Sequence, residues 1–194
     1  MDRPVRTIAG VDCAFLDGGR LIVAAAVMCD AGTMETIATG HVIRPCRFPY
    51  VPGLLSFREA PAVIAAIKRL GRAPDLLMCD GQGMAHPRRL GLACHVGLWL
   101  DLPTIGVAKS RLCGEHRPVG RRRGCRAQLR DGKDVIGAVV RTRTDVKPLY
   151  VSVGHRVSLA DSIAWTLRCT RGLRLPEPAR RADRLVATLK RDHA

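Results

Sequence analysis

The sequence predicts a mixed α/β sheet, in which three antiparallel strands are followed by alternating helices and strands, with helices on both faces. Three observations carry this prediction. Long apolar runs separated by Asp/Gly turns fill the first third of the chain, and amphipathic segments at helical spacing follow them. Short apolar runs bounded by glycine or proline lie between those segments. This alternation is typical of one α/β domain, which we take to span residues 1–194.

The first three strands are predicted at residues 7–16, 20–29 and 33–43. Turns with the sequences Asp-Gly-Gly and Asp-Ala-Gly separate them at residues 17–19 and 30–32. Short connections of this kind join neighbouring antiparallel strands, so we expect a meander.

In the next part of the chain, segments with the spacing of a helix alternate with short apolar runs typical of a strand. In residues 56–70, Ala60, Val63, Ile64 and Ile67 share one helical face. A strand, a second helix and a short strand are predicted to follow, at residues 75–79, 88–100 and 103–107.

The last third is predicted to begin with a basic loop over residues 112–133. A late hairpin with a long turn follows, and then a helix that begins with Ser158 and Asp161 in capping-box positions. The chain closes with a helix. The predicted segments are 135–140 and 148–153 for the hairpin strands, and 158–169 and 179–190 for the helices.

The net charge of +15, from 32 basic and 17 acidic residues, is the strongest compositional signal. Such a charge attracts polyanions and favours a nucleic acid as the partner. There is no apolar run of the ~18 residues that a membrane span needs, and the first residues lack the apolar core of a signal peptide. We therefore expect a cytoplasmic protein with no membrane partner.

Eight cysteines are scattered through the chain, and no Cys-x-x-Cys pair occurs. A zinc finger or ribbon is not indicated. Reduced thiols that pack as small apolar groups are expected instead.

Three carboxylates stand out because of their positions. Asp12 interrupts an apolar strand, where a charge is costly unless it is paired, hydrogen-bonded or metal-bound. Asp80 ends a buried strand, although Asp-Gly is also a common turn. Glu59 lies three residues after Ser56, so that a capping-box role competes with a site role. If the first and fourth strands are neighbours, all three could meet at one sheet edge and bind Mg²⁺, with Mn²⁺ as a substitute.

The chain resembles the endonuclease V family, whose members have a ribonuclease H-like fold and act at deoxyinosine. The matching segments include Gly-Val-Asp at residues 10–12 and Pro-Tyr-Val-Pro-Gly-Leu-Leu-Ser-Phe-Arg-Glu at residues 49–59. Asp-Gly-Gln-Gly-Met-Ala-His-Pro-Arg-Arg follows at residues 80–89. The remaining two segments are residues 101–110 and 174–178.

The resemblance implies catalytic roles for Asp12, Glu59, Asp80, Lys109 and His155. The three acids correspond to metal ligands, and His155 to a histidine near the metals. Lys109 corresponds to a lysine that neutralises the scissile phosphate or the leaving oxygen. On composition alone, Lys109 and His155 would be ordinary surface residues.

The resemblance also implies contacts with DNA. Tyr50 matches a wedge that separates strands, whereas on composition alone it would be packed under a loop. Arg88 and Arg89 would hold phosphates, as would the arginines at residues 121–123 unless these form only a solvated loop. The implied base pocket consists of Leu55, Gly81, Gly83, His86, Gly91 and Gly106.

Three departures from the family pattern affect stability or base preference rather than the acids. The first strand begins by Thr7, without the usual helical segment before it. Val153 stands where proline is common, and Leu90 replaces an aromatic residue.

The leading hypothesis is a Mg²⁺-dependent DNA repair endonuclease. The resemblance implies hydrolysis one nucleotide beyond the 3′ side of deoxyinosine, leaving 3′-hydroxyl and 5′-phosphate ends, with no small-molecule cofactor other than metal. Two alternatives stay open: a non-catalytic nucleic-acid-binding module of the same fold, and an enzyme that acts on inosine in RNA.

Overall fold

The computed structural model describes residues 4–193 and contains one eight-stranded sheet with the order β3-β2-β1-β4-β5-β8-β7-β6. Four helices pack on it. The strands are β1 (Thr7–Leu16), β2 (Leu21–Asp30), β3 (Thr36–Pro45), β4 (Leu76–Cys79), β5 (Thr104–Ala108), β6 (Arg126–Asp131), β7 (Asp134–Val140) and β8 (Leu149–His155). The helices are α1 (Leu55–Lys68), α2 (Leu92–Leu100), α3 (Leu159–Arg168) and α4 (Glu177–Asp192).

The predicted meander is confirmed, because β1 pairs antiparallel with β2 and β2 with β3. On its other side β1 runs parallel to β4, and β4 runs parallel to β5. The carboxyl ends of β1, β4 and β5 therefore meet at one edge of the sheet, which we call the site edge. Ligands collect at such strand ends in α/β sheets.

Helices cover both faces of the sheet, as predicted. Alternate residues of β1 and β2, such as Val11 and Ala24, pack with α1 and α2. The intervening residues face the other way, where Val23 and Ala25 pack against α4. The period-2 alternation of a strand explains why these apolar runs are continuous, since both faces are buried.

The start of α4 lies directly on β1 at Gly10. A Cβ atom at position 10 would come within 2.1 Å of the carbonyl carbon of Pro178. Only glycine permits this approach of two backbones. The contact fixes where the next turns of α4 cross the sheet.

Two predicted segments differ from the structure. The predicted loop over 112–133 contains β6, an edge strand in which only Leu129 is buried. Charged edge strands lack the apolar alternation that reveals inner strands. The second helix begins at Leu92 rather than at residue 88, because Arg89 has a φ of 55° in the preceding turn.

The helix ends test both predicted caps. The Ser158 hydroxyl accepts a hydrogen bond from the Asp161 backbone N–H, which confirms the N-cap of α3. At α1 the N-cap residue is Leu54 and no side chain caps the helix. Ser56 instead contacts the His95 ring at 3.3 Å, so Glu59 does not belong to a capping box.

All eight cysteines are free thiols, as expected. Between residues 4 and 193, no helix combines the length and the apolar character needed to cross a membrane.

Candidate active site

Asp12 and Asp80 lie side by side because of the β1–β4 register. Val11 is paired with Cys79 across the two parallel strands, and the Asp80 N–H donates to the Val11 carbonyl at 3.1 Å. The residues that follow each member of this pair are therefore neighbours at the site edge. The predicted convergence of these two carboxylates is present in the structure.

The third carboxylate of the cluster is Asp183, in the second turn of α4. One oxygen from each of Asp12, Asp80 and Asp183 lies within 4.8 Å of the others. Asp183 was not among the site residues predicted from the sequence. A signal was available, because Asp183 follows Ala179 by four residues and precedes Val186 by three, on the buried face of the helix.

Glu59 lies beside this cluster rather than within it. It is in the second turn of α1 and hydrogen-bonds with the Cys13 thiol. Its charge nevertheless interacts with those of Asp12 and Asp80. The set of three acids expected from the sequence therefore contains two members of the cluster and one close neighbour.

Lys109 links two of the acids, and its predicted role at the phosphate stays a prediction. Its ammonium nitrogen lies 2.5 Å from Asp80 Oδ2 and 2.7 Å from Asp183 Oδ1. The lysine follows β5, and the Arg174 guanidinium donates to its backbone carbonyl at 2.7 Å. Arg174 therefore positions Lys109, a role that sequence reasoning did not assign.

The acids are held in a setting that disfavours their charged forms. Burial raises the pKa of Asp12 to about 7, and repulsion from Asp80 adds to this. Burial also raises the pKa of Glu59 to about 7, against the lowering effect of the Cys13 hydrogen bond. The pKa of Asp80 is raised by burial as well, in spite of Lys109.

The pKa of Lys109 responds in the opposite sense. Burial lowers it, but the hydrogen bonds to Asp183 and Asp80 outweigh burial and raise the pKa overall. The positive charge of Lys109 therefore lies between Asp80 and Asp183.

The donor set fits a hard divalent cation. Carboxylate oxygens are the ligands that Mg²⁺ and Mn²⁺ prefer, and Mg²⁺ binds through few of them. Burial raises the pKa of Asp12 and of Asp80, and a bound cation would favour the charged form of both carboxylates.

The expectation that His155 lies near the metal site is wrong. β8 runs antiparallel to β5, so that His155 is paired with Thr104 at the start of β5 and not at its end. Its Nε2 lies 3.2 Å from Asp101 Oδ1, at the edge of the sheet opposite to the site edge. A histidine at the end of a strand indicates a sheet edge, but not which edge.

Tyr50 projects into solvent, with 68% of its surface exposed. The alternative of a tyrosine packed under a loop is therefore excluded. Its segment is irregular, and the Arg88 guanidinium donates to the Gly53 carbonyl at 2.9 Å within the same loop. Arg88 thus connects the segment that contains Tyr50 with the segment that contains Arg88 and Arg89, both of which are predicted to contact DNA.

Arg89 is held by the β6–β7 hairpin. Its guanidinium lies 2.9 Å from Asp131 Oδ2 and 3.9 Å from Asp134 Oδ2. A phosphate contact by Arg89 would have to compete with these acids.

Three predicted pocket glycines serve close backbone packing. A Cβ atom on Gly83 would meet the Val153 carbonyl, one on Gly91 the Gln82 carbonyl, and one on Gly106 the Gly83 nitrogen, all within 2.3 Å. The packing requires glycine at these positions without a ligand, so a base contact there stays a prediction.

The other pocket residues differ in their accessibility. Gly81 has room for a side chain near Leu92. Leu55 is 43% exposed, whereas His86 is buried and has a pKa lowered by burial and by Arg88. Leu55 is thus available to a ligand, while the His86 ring contributes mainly to packing.

The chain is similar to known endonucleases V. The family model described as endonuclease V matches residues 1–184. The chain is 53% identical over 180 residues to endonuclease V of Azotobacter vinelandii, covering 93% of this chain and 81% of the relative.

Solved structures give the same result. The crystal structure of endonuclease V from Streptomyces avermitilis has a TM-score of 0.93 and 47% identity, and the match covers 99% of this chain and 86% of that one. The Ciona intestinalis endonuclease V, in complex with a 24mer DNA containing an inosine followed by a ribo-adenosine, shares the fold with a TM-score of 0.83 and 24% identity, over 98% of this chain and 88% of that one.

The predicted ribonuclease H-like fold is therefore confirmed. From the match along residues 1–184 and the identity of about half to named relatives, the chain belongs to the endonuclease V family.

Proposed function

We propose that this protein is a DNA repair endonuclease that hydrolyses a phosphodiester bond one nucleotide beyond the 3′ side of deoxyinosine. The products are a 3′-hydroxyl and a 5′-phosphate, and the reaction depends on Mg²⁺, for which Mn²⁺ substitutes. The observation that carries the proposal is the cluster of Asp12, Asp80 and Asp183, with Lys109 between two of its members. A protein that only binds DNA gains nothing from acids that face phosphates.

Asp12, Asp80 and Asp183 would hold the metal, with Glu59 beside them. When bound, the metal supplies an activated water and charge stabilisation for the leaving oxygen. The three carboxylates already lie together, and a bound cation would favour their charged forms.

Lys109 would act on the substrate itself. Its ammonium is held at the site edge by two acids, within the region where the scissile phosphate must lie. A fixed cation there stabilises the negative charge that develops on a leaving oxygen. We assign no catalytic role to His155, because it lies at the opposite edge.

Tyr50 would enter the duplex beside the lesion. It is exposed and is preceded by Pro49 and followed by Val51 and Pro52, which limit the freedom of its loop. Aromatic or apolar side chains that enter between base steps unstack DNA, and base-specific enzymes read the extruded base in a pocket. Leu55 and Gly81 are the pocket positions that the structure leaves most open.

The test is cleavage of a duplex that carries one deoxyinosine, with Mg²⁺ and with EDTA. We expect one nick at the stated bond with metal and none with EDTA. Asp80→Ala should abolish cleavage while most DNA binding remains. EDTA-resistant cutting, or normal cleavage by Asp80→Ala, would overturn the proposal.

A matched RNA strand with inosine belongs in the same assay. Faster cleavage of the RNA would support the proposed metal-dependent hydrolysis but show that RNA, not DNA, is the preferred substrate. Binding of both substrates without cleavage under any metal would instead support the non-catalytic module.

A further inference from the structure

A cavity of about 500 Å³ lies beside the Tyr50 loop, outside the carboxylate cluster. Its walls come from the end of β3, the segment before Tyr50 and the first turns of α1. The lining contains three arginines, two phenylalanines and no acid. These arginines and phenylalanines are Arg44, Arg47, Phe48, Phe57 and Arg58.

The aromatic part of the cavity is a preformed stack. The rings of Phe48 and Phe57 are 5.6 Å apart, with an angle of 24° between their planes. Phe57 also meets the His95 ring edge-on at 4.8 Å. Although Phe57 is part of this stack, 39% of its surface is exposed. A flat apolar group can therefore stack on the exposed part of these rings without a change in the fold of the protein.

The arginines differ in how they are engaged. Arg58 is committed to the fold, since it lies over the Phe15 ring at 4.4 Å and donates to the Gly19 carbonyl. Arg44 makes one hydrogen bond, at 3.2 Å to the Pro61 carbonyl. Arg47 is exposed and makes no hydrogen bond or ion pair with any residue from 4 to 193. The cavity thus presents an uncommitted guanidinium next to aromatic rings.

The place of the cavity is set by the strand register. Phe15, Ile22 and Arg44 are partners across β1, β2 and β3, three residues along β1 from Asp12. Three residues of a strand span about 10 Å. Arg44 is also two strands away from β1, which adds a lateral distance of ~10 Å, so the cavity lies on the site edge roughly 14 Å from Asp12. A few nucleotides of a strand would cover this distance.

We propose that this cavity binds one unpaired nucleotide of a DNA strand, with its base on the Phe48–Phe57 stack and its phosphate on Arg47 and Arg44. Stacking on an aromatic ring together with a cation for the backbone is how proteins hold single strands without regard to sequence. A second cavity, lined within residues 114–118 and 126–132, also contains arginines, but Glu115 and Asp131 lie among them, whereas the lining of the first cavity has no acid.

The inference rests on the proposed DNA substrate, but it does not depend on inosine or on cleavage. The probe is therefore a fluorescent deoxythymidine 12-mer without inosine, whose binding is measured by anisotropy in EDTA over a range of salt concentrations. Phe48→Leu keeps an apolar side chain, and Arg47→Ala removes an exposed one. Arg72→Ala is the matched control, because Arg72 is exposed beyond the other end of α1.

We expect Phe48→Leu to weaken binding by about fivefold or more, the lower end of the effect of losing one base–aromatic stack, with an unchanged salt dependence. Arg47→Ala should lower the slope of log K against log salt by about 0.7, the value for one phosphate contact on a single strand. Binding by either variant that equals that of Arg72→Ala would overturn the proposal.

A cross-linking experiment on the wild-type protein tests the proposal even if one of the variants does not fold. A strand with 5-iododeoxyuridine at successive positions is irradiated in complex with the protein, and the cross-linked peptide is identified by mass spectrometry. We expect cross-links at Phe48 or Phe57 from one strand position. Cross-links confined to other segments would overturn the inference. If these residues cross-link but the inosine duplex is not cut, the proposed function fails and the cavity assignment stands.

Discussion

The Lys109 ammonium donates a hydrogen bond of 2.7 Å to the Asp183 carboxylate, which joins the end of β5 to the C-terminal helix. The two residues are 74 positions apart in the chain. Because the same ammonium also contacts Asp80, α4 is part of the site and not only a cover for the sheet. Four predictions follow from this arrangement and its surroundings.

Replacement of Asp183 by asparagine should lower cleavage of the inosine duplex by about 100-fold or more. The change removes one charged ligand of a site in which the metal contributes several kcal/mol, and each 1.36 kcal/mol is about tenfold in rate. Single-turnover kinetics at saturating Mg²⁺ would measure the effect. Asp192→Asn, near the end of the same helix, should cleave at the normal rate. Equal rates for the two variants would remove Asp183 from the site.

Replacement of His155 by alanine should leave the cleavage rate within about twofold of the normal value. His155 contacts Asp101 at the edge of the sheet opposite to the site edge, so its loss should not reach the carboxylate cluster. Lys109→Ala serves as the contrast, because it removes the cation of the site. A large loss of kcat in His155→Ala, with normal thermal unfolding, would contradict the placement of His155.

Asp12→Asn should stabilise the metal-free protein at pH 8. The pKa of Asp12 is raised from 3.8 to about 7 in the folded protein. An acid with a raised pKa contributes stability that is present below its unfolded pKa and is lost as pH rises through its folded pKa. The difference in free energy of unfolding between Asp12→Asn and wild type should therefore be near zero at pH 4, grow between pH 4 and 7, and reach about 1–3 kcal/mol above pH 7.

Thermal or urea unfolding in EDTA at pH 4, 6 and 8 would measure that difference. Mg²⁺ should raise the stability of wild type at pH 8 and have little effect on the variant, because a ligand stabilises only the state that binds it. A difference that is independent of pH would show that Asp12 is not the strained acid that its burial implies.

Tyr50→Ala should lower cleavage of the inosine duplex by roughly tenfold and affect a single-stranded inosine substrate less. Extrusion of a base from the duplex breaks base stacking, and the tyrosine ring replaces part of that stacking. A single strand has less stacking to break, and one aromatic stack contributes ~1–3 kcal/mol. The unfolding midpoint should not change, since the ring is 68% exposed. Tyr50→Phe keeps the ring and should cleave normally. Equal losses on duplex and single strand would argue against the wedge.

Much of the fold was predictable because buried apolar residues recur along the sequence with the period of the strand or helix that contains them. The continuous apolar runs of β1 and β2 reflect a sheet covered on both faces, and the 3.6-residue period of α1 reflects one buried stripe. β6 was missed for the same reason, since an edge strand with one buried residue has no such period. The start of α2 was misplaced because Arg89 takes a left-handed conformation that its sequence does not announce.

The site divides in a similar way. Asp12 and Asp80 could be identified from the sequence, because a carboxylate within or directly after a buried strand is costly and therefore conspicuous. Asp183 was less conspicuous, because its one signal is the position of an acid on the buried face of a helix that is otherwise rich in charged residues. Tyr50 was identified through the family resemblance, and its exposure then came from the structure.

The sequence alone therefore determined most of the secondary structure, although not β6 or the start of α2, together with the basic character, the family and two acids of the cluster. The tertiary structure decided which distant groups join them. Period and spacing determine the face on which a side chain lies, but only the direction of a strand determines the edge at which it ends. Because β8 runs antiparallel to β5, His155 lies at the edge opposite to the site edge. The packing of α4 on Gly10 is a contact between segments about 170 residues apart, and it brings Asp183 to Asp12. Local periodicity contains no information about such contacts.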